Sequence, residues 1–121
     1  MRVGIDTVDI QRFRAIATRY PRMLDRLFTA NEQRTLEQRM DPIPGFAARF
    51  AAKESAIKAI GVLPAGWSWH DIEVIGGAGA PVELRLHNQM LLAARNQGMA
   101  ESAVSLSHDT THAVAVVMST G

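Results

Sequence analysis

Residues 46–60 read FAARFAAKESAIKAI, and this stretch decides the fold. Alanine and the other residues here are good helix formers, and Gly61 follows where a helix C-cap belongs. The spacing therefore predicts a long α-helix over 46–60. When each residue advances by about 100° around the axis, one side becomes an apolar stripe and the opposite side carries four alanines, at 48, 52, 56 and 59. The stripe consists of Phe46, Phe50, Ile57 and Ile60.

Three of the four charged residues on this helix need an explanation, because the helix should be buried around most of its girth. Lys53 falls in the middle of the apolar stripe, Glu54 at its edge, and Lys58 one turn beyond Glu54. Burying charge is costly unless the charge is paired or binds a ligand. Lys53 and Lys58 are the only lysines among the 13 basic residues, and a compact ammonium suits a phosphate. The alternative is an ordinary Glu54–Lys58 surface pair at i, i+4.

Asp6 is a second candidate site residue. It ends the first predicted strand, residues 2–6, on the face opposite Val3 and Ile5. One interpretation makes it the N-cap of the helix that follows. The other pairs it with Glu54 around Mg²⁺, which proteins usually hold through one or two carboxylates plus phosphate oxygens and water. With lysines nearby, such a pair is typical of phosphoryl chemistry.

The rest of the chain alternates short helices and strands. Further helices are predicted over 9–19, after Pro21, from a Thr29–Glu32 capping box to about Arg39, and over 88–96 between an Asn88 cap and Gly98. Further strands are predicted over 69–75, 82–86, 103–107 and 113–118. Loops are predicted over 41–45 and 62–66, and turns over 76–79 and 108–111. This pattern predicts one α+β domain over residues 1–121, with a small, mostly antiparallel sheet packed against the long central helix.

Composition excludes several function classes. The chain has no cysteine, so disulfides and zinc–thiolate sites are excluded. It has neither an apolar run of about 20 residues nor an N-terminal apolar block, so we expect a cytoplasmic protein without a membrane span. The net charge of +1 is smaller than nucleic-acid binding usually brings. Residues 10–26 nevertheless carry five arginines and one aspartate, which predicts either an anion-seeking patch or a solvated helix face.

The segment Val104–His108, which reads VSLSH, places Ser107 and His108 at a predicted turn. A serine beside a histidine does not by itself indicate a hydrolase, because triads are recognised by geometry and no G-x-S-x-G elbow is present. Polar residues at a hairpin turn are the alternative interpretation.

Five stretches in order resemble the phosphopantetheinyl transferases, specifically the short holo-acyl-carrier-protein synthase type. They are GIDTVDIQRF at 4–13, LFT with a glutamate at 27–32, RFAAKESAIKA at 49–59, DIEV at 71–74 and VSLSH at 104–108. Their order and spacing cover essentially the whole chain. The chain departs from many relatives at two places. One is the loop at 61–66, and the other is Ala80, where a basic residue is frequent.

The resemblance implies a Mg²⁺-dependent transfer of the 4'-phosphopantetheine arm of coenzyme A to a serine of an apo acyl carrier protein, or of a carrier domain in a fatty acid synthase. The reaction releases 3',5'-ADP. By resemblance, Asp6 and Glu54 hold the metal, and Lys58 contacts the phosphates and protonates the leaving group. The general base is Glu54 or a metal-bound water. The implied coenzyme A contacts are Lys58, Arg49, Ser107 and His108, and the implied carrier-docking residues are Arg12, Arg19, Arg22 and Phe50.

The family also implies a homotrimer with active sites between subunits, and partners that include neither nucleic acid nor membrane. Two rival functions stay open at this point. One is a non-catalytic module that binds an acidic partner through the Arg12–Arg26 helix. The other is a magnesium phosphohydrolase that acts on nucleotides without a protein acceptor.

Overall fold

The chain folds into helices and antiparallel strands, as seen in a computed structural model that describes residues 1–77 and 79–121. Ala78, in the predicted turn at 76–79, lies outside the described residues. The helices are α1 (Ile10–Arg19), α2 (Met23–Leu27), α3 (Ala30–Glu37), α4 (Ile43–Ile60) and α5 (Asn88–Asn96). The strands are β1 (Arg2–Asp9), β2 (Ile72–Gly77), β3 (Ala80–Leu86), β4 (Ser102–His108) and β5 (His112–Ser119). The α+β class predicted from the sequence is confirmed.

Two antiparallel sheets pack around α4. The larger has the strand order β1-β5-β4, and the smaller pairs β2 with β3. In the larger sheet, Ala115 of β5 pairs with Asp6 on one side and Leu106 on the other. Helix α4 crosses this sheet and also contacts β2. Its C-terminus is closed by Gly61 in the left-handed conformation at φ 84°, as the sequence predicts.

Gly4 allows α4 to lie directly on β1. A Cβ at this position would overlap the carbonyl oxygen of Ser55. The Ser55 hydroxyl lies 3.0 Å from the carbonyl oxygen of Ala115 on the neighbouring strand. The helix therefore approaches the sheet at backbone distance, which places Asp6, two residues beyond Gly4 on the same face of β1, against α4.

Several predicted boundaries are wrong. Strand β1 runs to Asp9 instead of ending at Asp6, because its pairing with β5 continues to that residue, so Asp6 lies within the strand. Helix α4 begins at Ile43 rather than at 46, because Pro44 is compatible with the first turn of a helix. A short 3-10 helix, Trp69–Asp71, precedes β2, because Ser68 and Asp71 form a capping box across residues predicted as strand. Asn88 is not the cap of α5: His87 occupies that position, and the Asn88 amide donates to Asp71. The capping box of Thr29 and Glu32 at α3 is confirmed.

The side of the larger sheet that faces away from α4 is largely apolar and open, and we call it the outer sheet face. Strand alternation and register assign nine residues to it: Val3, Ile5, Thr7, Ala103, Ser105, Ser107, Val114, Val116 and Met118. Val3, Ile5 and Met118 are 60%, 59% and 43% exposed. The alternation of apolar residues along these strands would assign this face to a core. In the single chain, none of the described residues covers it.

Four aromatic rings form a continuous stack from α1 to the loop before β2. The ring centroids of Phe13 and Phe50 are 5.9 Å apart, those of Phe50 and Trp69 are 5.3 Å apart, and those of Trp69 and Trp67 are 4.9 Å apart. These separations fit tilted or edge-on aromatic packing. No helix within 1–77 and 79–121 has the length and hydropathy to span a bilayer.

Candidate active site

Asp6, Glu54 and Lys58 meet where α4 crosses β1. The Lys58 ammonium donates to Asp6 Oδ1 at 3.1 Å and to the Ile5 carbonyl oxygen at 3.0 Å. Lys58 therefore pairs with Asp6 across two elements, and the Glu54–Lys58 surface pair does not account for its position. Asp6 is not a helix cap either, because Asp9 caps α1 by accepting from the Arg12 backbone N–H at 2.9 Å.

The single positive charge of Lys58 cannot neutralise both Asp6 and Glu54 when both are ionised. Asp6 Oδ2 is buried and accepts no hydrogen bond from the described residues. Burial first and the adjacent Asp6 second raise the pKa of Glu54, the positive charge of Lys58 lowers it, and the net pKa is about 7. A proton on Glu54 supplies Asp6 with the donor it lacks. A divalent cation would serve the same purpose better, because it neutralises both groups at once.

This arrangement fits a magnesium ion that is only partly held by protein. Among residues 1–77 and 79–121, no cluster of three or more His, Asp or Glu side chains is placed to share a metal. Magnesium commonly uses one or two carboxylates and takes its other ligands from phosphate oxygens and water. Asp6, with its unpartnered Oδ2, and Glu54 match that requirement.

A cleft of about 490 Å³ opens beside Glu54. Its walls include Arg12, Phe13 and Ile16 from α1, and Phe50 from α4. The Glu54 carboxylate therefore shares the lining of a cleft with an exposed arginine and with three apolar side chains. Two predicted docking residues, Arg12 and Phe50, line the same cleft as the predicted metal ligand Glu54.

The predicted docking arginines are free on the surface. Arg12, Arg19 and Arg22 are exposed, and none forms an ion pair with a described residue. Arg14 differs, because its guanidinium makes a two-pronged contact with Asp41 at 3.0 and 2.7 Å. These three arginines are therefore available to bind an anionic partner. Arg14 is not, because it ties α1 to Asp41, just before the start of α4.

Ser107 does not join Asp6 within one chain. It belongs to the outer sheet face, whereas Asp6 faces α4. His108 ends β4 beside the Asp109 turn, where backbone hydrogen bonds from His112 and Thr111 lower the pKa of Asp109 to about 2. Ser107 and His108 are exposed at that end of the sheet. Their predicted contact with coenzyme A stays a prediction, and a single chain cannot bring Ser107 to the two carboxylates.

Arg49 is 2% exposed, and its Nη2 donates to the Gly76 carbonyl oxygen at 2.6 Å. Its Nε has no acceptor among the described residues. The sequence did not indicate that Arg39 lies beside it. A Cβ at Gly77 would be 2.9 Å from Nη2 of Arg49 and 3.8 Å from Nη2 of Arg39. Two guanidinium groups therefore converge on one glycine.

Lys53 takes no part in the cluster of Asp6, Glu54 and Lys58, although the sequence grouped the two lysines together. Its side chain is fully buried, and its ammonium donates to Glu32 at 2.7 Å. Burial lowers the pKa of Lys53, and the Glu32 carboxylate opposes that effect. The capping-box motif identified Glu32 as a helix-start residue, but no local pattern revealed its partner 21 positions away.

The family is settled by a comparison with known protein families. A family model described as the 4'-phosphopantetheinyl transferase superfamily matches residues 2–117. The chain belongs to this superfamily. The resemblance inferred from the five sequence motifs is thereby confirmed.

Similar sequences within this superfamily are holo-[acyl-carrier-protein] synthases. The chain is 41% identical over 117 residues to a holo-[acyl-carrier-protein] synthase of Geobacter sulfurreducens, covering 95% of this chain and 93% of the relative. It is 42% identical over 116 residues to the synthase of Frankia casuarinae, covering 96% and 93%.

Solved structures support the fold and the type. A holo-[acyl-carrier-protein] synthase from Neisseria meningitidis matches with a TM-score of 0.87 at 24% identity, covering 99% of this chain and 98% of that chain, which shows the shared fold. The synthase from Helicobacter pylori, solved in complex with coenzyme A, matches with a TM-score of 0.79 at 27% identity, covering 98% and 99%.

Proposed function

We propose that this phosphopantetheinyl transferase moves the 4'-phosphopantetheine arm of coenzyme A to a serine of an apo acyl carrier protein, or of a carrier domain in a larger synthase. The observation that carries the proposal is the meeting of Asp6 and Glu54, with one buried oxygen unpartnered, beside the Lys58 ammonium. The named relatives and the coenzyme A complex of the Helicobacter pylori synthase support the same substrate class.

Asp6 and Glu54 are the residues that would hold Mg²⁺. When bound, this ion neutralises charge on the pyrophosphate of coenzyme A, which is a main contribution to catalysis of phosphoryl transfer. The serine hydroxyl of the carrier attacks the β-phosphate and passes its proton to a general base, either Glu54 or a water beside it. The bond from that phosphorus to the 3',5'-ADP oxygen breaks. Lys58, with its side chain 56% exposed, reaches the leaving oxygen and donates a proton or hydrogen bonds to it.

The partner supplies the nucleophile, which explains why the cluster of Asp6, Glu54 and Lys58 includes no serine or cysteine. The exposed patch of Arg12, Arg19 and Arg22 docks an acidic carrier, and Phe50 contacts it in the adjacent cleft. Long-range attraction between a basic patch and an acidic partner raises the rate of encounter. The non-catalytic rival would use this patch but leaves the two half-buried carboxylates, Asp6 and Glu54, unexplained.

The outer sheet face supports assembly of a homotrimer with active sites between subunits. Val3, Ile5 and Met118 form a continuous exposed apolar surface with Val116, of the kind that marks protein–protein contacts. Ser107 lies on this same face, away from the Asp6 of its own chain. Coenzyme A contacts from Ser107 and His108 therefore require an arrangement in which two chains share each site.

Arg49 and Arg39 would give the phosphates of coenzyme A a further cationic contact. Two arginines beside one glycine repel each other, and Arg49 keeps one buried N–H without an acceptor among the described residues. A phosphate would supply acceptors to both groups. This arrangement supports the assignment of Arg49 to the coenzyme A site and adds Arg39 to it.

The deciding experiment measures the mass of the acceptor. The protein is incubated with Mg²⁺, coenzyme A and either a discrete apo carrier protein or an apo carrier domain, and the carrier is weighed by mass spectrometry. We expect a gain of one phosphopantetheine arm with one or both acceptors. The Glu54→Gln variant should give no gain, whereas Glu37→Gln, an exposed carboxylate on α3, should act as wild type. Phosphate release from nucleotides without a carrier would instead identify the phosphohydrolase.

A further inference from the structure

Lys53 is adjacent in sequence to Glu54, a proposed metal ligand, but its ammonium makes hydrogen bonds only to other residues of the chain. Its ammonium donates to Glu32 Oε1 at 2.7 Å, to the Ile72 carbonyl oxygen at 2.6 Å and to the Trp69 carbonyl oxygen at 3.2 Å. An ammonium has three N–H groups, so none is left for a ligand. Lys53 therefore acts through the position of α4 and not through contact with substrate.

Glu32 is equally enclosed and fully hydrogen-bonded. Its Oε1 also accepts from the Thr29 backbone N–H at 2.9 Å, and its Oε2 accepts from the Val74 N–H at 3.1 Å. Both side chains of the Lys53–Glu32 pair are 0% exposed. The pair thus joins α3 and α4 to β2 and to the 3-10 helix that precedes it.

Stability alone is a weak reason for burying these two charges. Removing an ammonium and a carboxylate from water costs several kcal/mol each, and apolar residues of the same volume often serve stability as well or better. Buried ion pairs have their best-attested use in fixing one arrangement among several. An ammonium with three fixed acceptors defines the position of its helix more narrowly than apolar contacts do.

The position that it defines is that of Glu54. Consecutive helix residues diverge by about 100°, so Lys53 points to α3 and β2 while Glu54 points to β1. Any rotation of α4 at Lys53 moves the Glu54 carboxylate relative to Asp6 by a comparable angle. Functional groups need to be held to about 0.5 Å and 10–20°, so a small rotation is enough to separate two metal ligands.

We propose that the Lys53–Glu32 pair is a positioning device that sets the rotation of α4 and thereby the separation of Asp6 and Glu54. The inference rests on the proposed function, because it takes these carboxylates as the ligands of the divalent ion. It assigns Lys53 and Glu32 a role in catalysis without contact with substrate.

The test measures divalent-ion affinity directly. Mn²⁺ replaces Mg²⁺, and its binding is followed by electron paramagnetic resonance with coenzyme A present and no carrier, after subtraction of a protein-free titration. The double variant Lys53→Met/Glu32→Gln removes both charges and keeps similar volumes. We expect it to remain folded by circular dichroism and to bind Mn²⁺ on the order of 10-fold more weakly, as when groups that orient metal ligands are lost.

A matched control separates positioning from general destabilisation. Met90→Ala opens a cavity in the fully buried core between α5 and the C-terminal part of α4, leaves both charges of the Lys53–Glu32 pair in place, and costs about 2–5 kcal/mol. It should lower the unfolding midpoint but keep the wild-type Mn²⁺ affinity and kcat. The double variant should lose kcat together with Mn²⁺ affinity.

A second variant decides the question if the double variant does not fold. Glu32→Asp keeps both charges and withdraws the carboxylate by one methylene, so Mn²⁺ affinity should fall in the same direction by a smaller factor. Wild-type affinity in whichever of the two variants folds would overturn the positioning role. Failure of the proposed function gives a different result: the wild type would bind no Mn²⁺, or Glu54→Gln would bind it as tightly as the wild type does.

Discussion

Replacing Glu54 with glutamine should stabilise the metal-free protein while it abolishes transfer. Glu54 holds its proton more tightly in the folded chain, where its pKa is about 7, than at its ordinary value of 4.5. The protonated form therefore contributes stability that is fully present below pH 4.5 and is lost as the pH rises to 7. Glutamine is neutral at every pH, so the Glu54→Gln variant keeps this stability as the pH rises.

The size of the effect follows from the pKa shift. At 1.36 kcal/mol per unit, a rise from 4.5 to about 7 sets an upper limit of about 3.4 kcal/mol. Water reaches this carboxylate from the cleft and screens part of the interaction, so we expect about 1–2 kcal/mol. Above pH 7 the wild type should therefore be less stable than Glu54→Gln by that amount, and near pH 4 the two should converge.

Urea unfolding at pH 4.5, 6 and 8 without divalent ions measures this difference. Glu37→Gln is the control, because Glu37 is exposed and its replacement should change stability by no more than about 0.5 kcal/mol at any pH. Adding Mg²⁺ and coenzyme A at pH 8 should stabilise the wild type and leave Glu54→Gln unchanged, because only a binding-competent folded state gains from its ligand. Parallel pH profiles for Glu54→Gln and wild type would refute the assignment of a raised pKa to Glu54.

Three further predictions follow from the fold and the surface. Gly4→Ala should lower the free energy of unfolding by at least about 1–3 kcal/mol, because α4 must move off β1 to admit a methyl group; an unchanged urea midpoint would contradict the close approach. Arg19→Glu should raise the KM for carrier protein more than the KM for coenzyme A, and more at low salt than at high salt, whereas Arg95→Glu on α5 should change neither; equal rises in both constants would remove the docking role. Ile5→Glu should shift the species seen by native mass spectrometry from trimer to monomer, whereas Leu92→Glu, which is equally exposed on α5, should leave the trimer intact; a trimer in both would place the interface elsewhere.

Features set by neighbouring residues could be predicted from the sequence. The capping box of Thr29 and Glu32 and the left-handed C-cap at Gly61 are local, and both are confirmed. The start of β2 was misplaced because Ser68 and Asp71 close a 3-10 turn, with side chains that also suit a loop before a strand. Local chemistry thus predicted these two helix ends, but it misplaced the start of α4 and the cap of α5.

Features that depend on distant residues could not be predicted in the same way. The residue patterns gave Asp6 and Glu54 as a possible metal pair and the resemblance supported it, but their meeting depends on the closeness that Gly4 allows between β1 and α4. The periodicity showed Lys53 inside an apolar stripe but not its partner, because Glu32 reaches it from α3. Alternation in β1 likewise marks Val3 as apolar without showing whether the chain itself or a second copy covers it.

The aromatic stack has a practical consequence for anyone who studies this protein in solution. Both tryptophans, Trp67 and Trp69, belong to one stack that ends at Phe50 and Phe13 in the cleft wall. Indole emission from the whole chain therefore reports on a single neighbourhood, with no background from elsewhere. A carrier that settles against Phe50 would alter that emission, so association could be followed in real time with an unlabelled protein.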